Sequence, residues 1–500
     1  MFMGTWIIFV AYMVITVAIG FVSSRRKKSA DVDAYFVSKH SLPPLVVAFS
    51  AVATTLSGSP FLGVPGNVYR YGLGMWVAGV AVGGVGGTIL ANLVLGKPLR
   101  KYSDFHPATT ITEILTGIFR DKRIRYIAIP VVLFGSIYFA VVNWVAIGNL
   151  LNGMMGMDYR VAVGVGLLVV LLYSVLGGNN ATAAVSVAQV FIAMFASIYL
   201  AIIALHVSGG LTALNLDVAR YDIGHLRVVF GNFPTNLFFS YIILYSLGNL
   251  GQPHCAVKFV QIKDAKMYPK ALLWSVVSHI STIVFVPLVG LTMFVQVNQG
   301  VIPEITMTDT VTPLFIRYFT HPAVAGLVVA ATLSAIMSTG IALVQAASSS
   351  IVKDIMGDLL RVDCAGKKGV RYSQIVMIIC LALSGVLALD PGSDLVTMGA
   401  AAWGIFAAVF TMPLILGLRW RRASRAGCFV GMLVSAILVI GVNALSIAGV
   451  WSWPFPVDVG LAGLILNAAI MIVAGLCGTP AERDFLPETK RKLKCRLAEK

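Results

Sequence analysis

Small polar residues, glycines and prolines interrupt two of the long apolar stretches in this chain. The first interruption reads SGSP at residues 57–60, and the second reads GNLGQP at residues 248–253. A helix that breaks at membrane depth leaves backbone N–H and C=O groups without partners, and a bound ion or solute can satisfy them. Matching interruptions in two halves of a chain therefore predict the binding site of a membrane carrier.

Residue patterns typical of enzymes are missing from the sequence. We find no nucleophile paired with a base, no phosphate-binding loop and no cluster with metal-ligand spacing. The cysteines lack that spacing too and avoid the predicted outer loops, which indicates free thiols: Cys255, Cys364, Cys380, Cys428, Cys477 and Cys495. The sequence therefore predicts neither an enzyme nor a protein with an organic cofactor.

The elements that position the two interruptions are predicted to be membrane-spanning helices. Apolar residues make up 58% of the chain and charged residues only 12%, whereas soluble domains carry about 25% charged residues. A span needs about 20 apolar residues. Thirteen windows without Asp, Glu, Lys or Arg meet this description: 5–22, 42–69, 73–96, 126–153, 161–178, 181–205, 233–257, 271–296, 323–352, 372–389, 395–418, 427–447 and 459–477.

The distribution of basic residues predicts the orientation of these spans. The net charge is +16. Of the 37 Lys and Arg residues, 32 lie in every second segment outside the predicted spans, and the other five lie in the segments between those. Basic loops stay on the cytoplasmic side. We therefore expect a multi-pass protein of the cytoplasmic membrane with its N-terminus outside and its C-terminus in the cytoplasm. The positive charge follows from this topology and does not indicate nucleic-acid binding.

The two interruptions also suggest a repeat. If each interrupted span begins a unit of five helices, the two units have opposite orientations, because an odd number of helices separates their starts. The expected segments are an extra helix with a basic inner loop, the first repeat, an outer loop, the second repeat, two C-terminal helices and a cytoplasmic tail: 1–41, 42–205, 206–232, 233–418, 419–479 and 480–500.

Four separated motifs resemble one family of membrane proteins. They are ATTLSG with LGVPG, GQPH with KF, MST with SS, and AAVF, at residues 53–66, 251–259, 337–349 and 407–410. Together they are similar to the signatures of the sodium:solute symporter family, and most of all to its proline/pantothenate-transporter branch. The resemblance implies an all-α membrane protein with the 5+5 inverted-repeat, leucine-transporter-like fold.

The same resemblance implies a sodium site between the first interrupted span and the ninth span. Its ligands would be three backbone carbonyls and two hydroxyls: Ala53, Leu56, Ala335, Ser338 and Thr339. Neutral oxygens suit a hard cation, and a broken helix end supplies carbonyls. The alternative for the two hydroxyls is a hydrogen bond to the preceding helical turn.

Solute contacts are expected at the two interruptions and on nearby faces: Ser57, Ser59, Tyr245, Asn249 and Gln252. For Tyr245 the alternative is helix packing, and for Gln252 it is capping of the break. Asn143 and Trp144 in the fourth span are further candidates, with helix packing as the alternative for Trp144. Asn249 stands where the proline branch carries an aromatic residue, which argues against proline as the solute.

Two positions depart from the family pattern. Many relatives carry aspartate where this chain has Thr55 and Ser186, so a sodium-independent facilitator and a transporter-like solute sensor stay open as alternatives to sodium coupling. His254 and His279 are expected to be packing residues and not proton carriers. Because the spans contain no Lys or Arg, only helix N-termini are expected to face a carboxylate.

These observations predict a secondary active transporter that imports a small polar organic solute, of the amino-acid or monocarboxylate type, by alternating access. The expected coupling ion is sodium. Its other expected partners are the solute and the lipid bilayer. Nucleic acid is not an expected partner, and the sequence does not define an oligomeric state.

Overall fold

The computed structural model describes residues 2–26, 32–37, 42–106, 108–390 and 394–481, and these residues are almost entirely helical. The helices follow the apolar windows of the sequence, and the two windows with clustered glycines and prolines, 42–69 and 233–257, each divide into more than one helix. In chain order they are Phe2–Arg26, Val32–Val37, Pro44–Ala53, Val64–Tyr71, Leu73–Ser103, Ile111–Phe119, Arg125–Met155, Tyr159–Val207, Leu211–Asp222, Thr235–Gly248, Pro253–Phe259, Tyr268–Ile283, Phe285–Asn298, Val311–Phe319, Pro322–Ser349, Gly366–Leu387, Leu395–Arg419, Arg425–Ile447 and Val459–Cys477.

Nine helical stretches within the described residues are long and apolar enough to cross a membrane. Each of the thirteen windows overlaps a helix, although the number of spans stays a prediction. The stretch Tyr159–Val207 covers two windows as two helices that meet at a kink, because the backbone leaves helical geometry at Gly178, where φ is 55° and ψ is −153°. This kink lies at the boundary between the windows 161–178 and 181–205.

Helix Pro322–Ser349 forms the centre of the bundle. It packs against Phe2–Arg26, Arg125–Met155 and Tyr159–Val207, and it is almost entirely buried. Many of its residues are Ala, Gly or Ser, and such small side chains let neighbouring helices approach closely in a membrane. Helix Gly366–Leu387, by contrast, exposes most of its apolar surface, as expected for a lipid-facing helix.

Short helices outside the spans tie the ends of the bundle together. Helix Ile111–Phe119 begins with a capping box, in which Thr110 Oγ1 accepts a hydrogen bond from the Glu113 N–H at 3.0 Å. Lys353, just past the central helix, donates to Asp33 of the short helix Val32–Val37 at 2.6 Å. Most of the tail expected at 480–500 lies outside the described residues.

Candidate functional site: two broken helices and a polar cavity

The first break follows helix Pro44–Ala53 and is held open by a side chain from another helix. The N–H of Gly58 has no helical partner, and the amide oxygen of Asn143 accepts its hydrogen bond at 3.2 Å. Gly58 lies so close to helix Arg125–Met155 that a Cβ added to it would stand 2.1 Å from the Cβ of Ala146. Asn143 therefore provides the hydrogen-bond partner for the backbone N–H that the break leaves free, and it does not line the solute cavity described below.

The second break separates helices Thr235–Gly248 and Pro253–Phe259. Gln252 has extended backbone angles, φ −71° and ψ 117°, and Pro253 starts the next helix because a proline needs no N–H partner there. The amide nitrogen of Gln252 donates to the carbonyls of Gly248 at 3.1 Å and Trp403 at 3.3 Å. Gln252 is fully buried, and the structure thus places it as a cap of the break.

The two breaks lie side by side although about 200 residues separate them in sequence. Thr54 Oγ1 is 3.6 Å from Cys255 Sγ, which joins the first break to the helix that follows the second. The amide nitrogen of Asn249 is 3.5 Å from Thr88 Oγ1, and Thr88 also contacts His279 Nδ1 at 3.0 Å. The freed backbone groups of both breaks therefore face one shared region of the bundle.

Oxygens proposed as sodium ligands converge at the end of helix Pro44–Ala53. Ser338 Oγ lies 2.8 Å from the carbonyl oxygen of Ala53 and 2.7 Å from that of Ala335. Thr339 Oγ1 lies 3.0 Å from the same Ala53 carbonyl. Only the contact with Ala335 is the bond to the preceding turn that serine commonly makes. Both contacts with Ala53 cross between helices.

This group of four buried oxygens fits a sodium ion by its chemistry. All of them are neutral and hard, as an alkali cation requires, and the carbonyl of Ala53 stands at a helix C-terminus, where the helix dipole is negative. Leu56, the fifth residue of the expected set, is buried three residues further on, and its N–H bonds to the carbonyl of Val52 at 3.1 Å.

A cavity lies between the breaks. Four of the five residues expected to contact solute line it: Ser57, Ser59, Tyr245 and Asn249. Gln252 is absent from its lining, for the reason given above. The other lining residues come from several helices and give the cavity a mostly apolar wall: Thr55, Pro60, Val64, Met75, Gly79, Val80, Gly84, Phe139, His279, Gly399 and Trp403.

Sequence reasoning missed the aromatic wall of this cavity. The rings of Tyr245 and Trp403 lie 5.7 Å apart, and those of Phe139 and Trp403 lie 6.1 Å apart. Trp403 sits four residues before the AAVF motif, which is the one local signal that pointed to its helix. Trp144 instead is buried against Gly340 and donates to Ser384 Oγ at 2.9 Å, so it packs helices together.

The two positions without aspartate have different surroundings. Thr55 lines the cavity, and its hydroxyl donates to the carbonyl of Val52 at 2.8 Å. Ser186 is buried on helix Tyr159–Val207. His279 also lines the cavity, where its ring bonds to Thr88. At Thr55, a neutral hydroxyl therefore stands at the cavity.

Comparison with known proteins identifies the family. The family model described as "Sodium:solute symporter family" matches residues 35–435. The chain belongs to the sodium:solute symporter family. The chain is therefore a membrane transporter and not an enzyme, and the resemblance inferred from its motifs is confirmed.

Curated relatives within this family align with nearly the whole chain. The sodium/pantothenate symporter of Escherichia coli is 26% identical over 482 residues, which cover 94% of this chain and 96% of that protein. The sodium/pantothenate symporter of Haemophilus influenzae is 29% identical, with 83% and 85% covered. A sodium/proline symporter of Staphylococcus aureus is 28% identical, with 87% and 85% covered.

Solved structures show the same fold. A Na⁺-coupled sialic acid symporter in a substrate-bound outward-open state superposes with a TM-score of 0.76 at 19% identity, covering 96% of this chain and 98% of that one. Mhp1, a nucleobase-cation-symport-1 family transporter, superposes with a TM-score of 0.51 at 14% identity, covering 93% and 98%. The leucine-transporter-like fold expected from the motifs is confirmed, while the repeat boundaries stay a prediction.

Proposed function

We propose that this symporter couples the import of a small monocarboxylate or zwitterionic solute to the entry of sodium. One observation carries the proposal: the hydroxyls of Ser338 and Thr339 reach the carbonyl of Ala53 across nearly 290 residues of sequence. Such a convergence of neutral oxygens at a broken helix end is what a sodium ion needs. Thr55 adds no charge, so sodium is held here by neutral oxygens.

The ion site and the solute cavity share one structural element, and this sharing provides the coupling. Ala53 ends the helix whose continuation, from Thr55 to Ser59, lines the cavity. A sodium ion between Ala53 and helix Pro322–Ser349 holds the first break in one arrangement. The solute then meets a preformed surface, and each ligand raises the affinity of the protein for the other.

The cavity favours a small solute with one polar end. Ser57, Ser59 and Asn249 supply hydroxyl and amide groups, while Tyr245 and Trp403 supply apolar surface. A solute of the size of an amino acid or a slightly longer acid would place its polar end at these groups and its carbon chain on that surface. The pantothenate and proline symporters among the relatives transport carboxylates of this size, and both solutes are therefore the first to test.

Orientation follows from the charge distribution. Basic residues fill the segments that alternate from residue 25 onward, which places the N-terminus outside and the C-terminus in the cytoplasm of the cell. Helix Pro322–Ser349 then runs inward from its N-terminus. Solute enters near Ser59, and leaves toward the inner ends of the helices.

Uptake into proteoliposomes tests this function. Radiolabelled pantothenate and L-proline are supplied outside, with either an inward sodium gradient or the same concentration of potassium. We expect accumulation above equilibrium only with sodium. Equal uptake with both ions identifies a facilitator, and saturable binding without uptake identifies a solute sensor; either result contradicts the proposal.

A further inference from the structure

A second polar cavity lies beyond the sodium oxygens, toward the proposed cytoplasmic side. Gln345 and Ser349 of helix Pro322–Ser349 line it, and Gln345 is six residues past Thr339, which corresponds to about 9 Å along a helix. The other lining residues come from both repeats and from the loops near Phe36 and Thr109: Phe36, Thr109, Asn179, His254, Val257, Lys258, Gln261, Ala342 and Ala346.

The cavity contains a buried cation that the sequence does not reveal. Lys258 follows the predicted seventh span by one residue, yet only 5% of it is exposed. Its ammonium group donates to the amide oxygen of Asn179 at 3.0 Å. No carboxylate pairs with Lys258 within the part of the chain that the structure describes. An ammonium has three N–H donors, and a buried charge without an opposite charge is costly.

The amide groups beside Lys258 are already hydrogen-bonded within the protein. Asn179 turns its amide nitrogen to Gln261 Oε1 at 3.3 Å, which fixes the amide oxygen toward Lys258. Neither ring nitrogen of the buried His254 has a hydrogen-bond partner among the described residues. An imidazole and an ammonium lining one cavity suit an anion, whereas the sodium oxygens lie about two turns away on the same central helix.

This cavity also adjoins the solute cavity. Phe139 lines the solute cavity, and its ring lies 6.1 Å from the ring of His254, which lines the second one. The rings of Phe139 and His254 therefore lie where the two cavities adjoin.

We propose that this second cavity is a carboxylate-binding station on the release path, in which the ammonium of Lys258 binds a monocarboxylate solute after it passes Phe139. The assignment to a release path rests on the proposed function. The binding of a carboxylate does not, because it follows from the buried ammonium of Lys258, with which no carboxylate of the described residues pairs. Lys258 thereby supplies a fixed positive charge for the carboxylate, whereas the predicted spans themselves contain no Lys or Arg.

Binding to the purified full-length protein tests the station without any transport. Thermal unfolding is followed at constant sodium with two pairs of probes, pantothenate with its neutral alcohol panthenol, and L-proline with L-prolinamide. We expect at least one acid to stabilise the wild type more than its partner. In Lys258→Met its apparent dissociation constant should rise about tenfold, as for loss of one charge-assisted hydrogen bond.

Matched variants separate this role from a structural one. Lys258→Arg should bind the acid within about threefold of the wild type, and Lys270→Met, which removes an exposed lysine of the next helix, Tyr268–Ile283, should change nothing. If Lys258→Met does not fold, Lys258→Gln replaces it. Retained stabilisation by sodium in the variant shows that the ion site is intact.

Three outcomes overturn the station: no acid binds better than its neutral partner, Lys258→Met weakens acid and neutral partner equally, or chloride gives the same Lys258-dependent stabilisation. Loss of sodium-driven uptake in the wild type, with Lys258-dependent binding still present, contradicts the proposed function and leaves the station standing.

Discussion

Replacement of the two hydroxyls near Ala53 gives the sharpest test of the sodium site. Ser338 Oγ lies within 2.8 Å of two carbonyl oxygens, and Thr339 Oγ1 lies 3.0 Å from one of them. Loss of one buried polar ligand costs about 1–1.5 kcal/mol, and about 1.4 kcal/mol corresponds to a factor of ten in affinity. We therefore expect Ser338→Ala to raise the sodium concentration for half-maximal uptake about tenfold.

The double variant Ser338→Ala/Thr339→Val should exceed the single one. The two hydroxyls share the Ala53 carbonyl, so their effects need not add, and the expected rise lies between about tenfold and about a hundredfold. Sodium titrations of uptake and of thermal unfolding both report this change. The second readout needs no transport and therefore separates weak ion binding from a transport defect.

Controls on the same helix make this result interpretable. Ser334 lies one turn earlier, and its hydroxyl bonds to Ala330 and Tyr12, away from the ion site. Ser334→Ala should leave the sodium titration within about twofold of the wild type, and Thr339→Ser should retain most of the affinity. If the double variant also stays within twofold while remaining folded, these hydroxyls do not bind the coupling ion.

Four further predictions concern the breaks, the cavity and the outer surface. Asn143→Leu leaves the Gly58 N–H without a partner, so we expect a loss of about 1–3 kcal/mol of stability, seen as a lower thermal midpoint; an unchanged midpoint contradicts this contact. Gly58→Ala pushes a Cβ against Ala146 and should cost about 1–3 kcal/mol of stability. An unchanged stability would show that the two helices can separate. Asn249→Ala should raise the solute dissociation constant up to about tenfold, because it removes one hydrogen bond. Equilibrium binding measures this change, and an affinity equal to that of the wild type shows that Asn249 does not contact the solute. Burial raises the pKa of Asp309 to about 6. Between about pH 4 and 6 the folded protein therefore holds a proton that the unfolded chain releases, and the stability of the fold falls as the pH rises. Asp309→Asn should flatten this dependence of the thermal midpoint on pH, and an unchanged slope refutes the role of Asp309.

The local signals in the sequence were reliable wherever one stretch of chain decides the outcome. Apolar windows became helices because a helix satisfies its own backbone in lipid. Helix breaks occur beside the glycine and proline clusters at 57–60 and 248–253: the chain is not helical at 54–57, just before Gly58, and Gln252 is extended just before Pro253. Family motifs then led to the fold, since each motif marks a place where helices must meet.

The position of a side chain relative to distant helices was much harder to predict from the sequence. Gln252 belongs to a motif beside the second break, yet the structure turns it toward the carbonyls of Gly248 and Trp403, away from the cavity. Asn143 was a candidate solute contact and instead binds Gly58. In both cases an unpaired backbone group decided where the amide points, and its position depends on the packing of distant helices.

By itself, the sequence determined that this chain spans a membrane, breaks two of its helices and resembles the sodium:solute symporter family, because hydrophobic length, breakers and motifs are local properties. Only the tertiary structure decided which groups meet. It brought Ser338 and Thr339 to Ala53, built the aromatic wall around Trp403 and buried Lys258 beside Asn179. Such contacts depend on how the helices pack, and no single stretch of the chain records that packing.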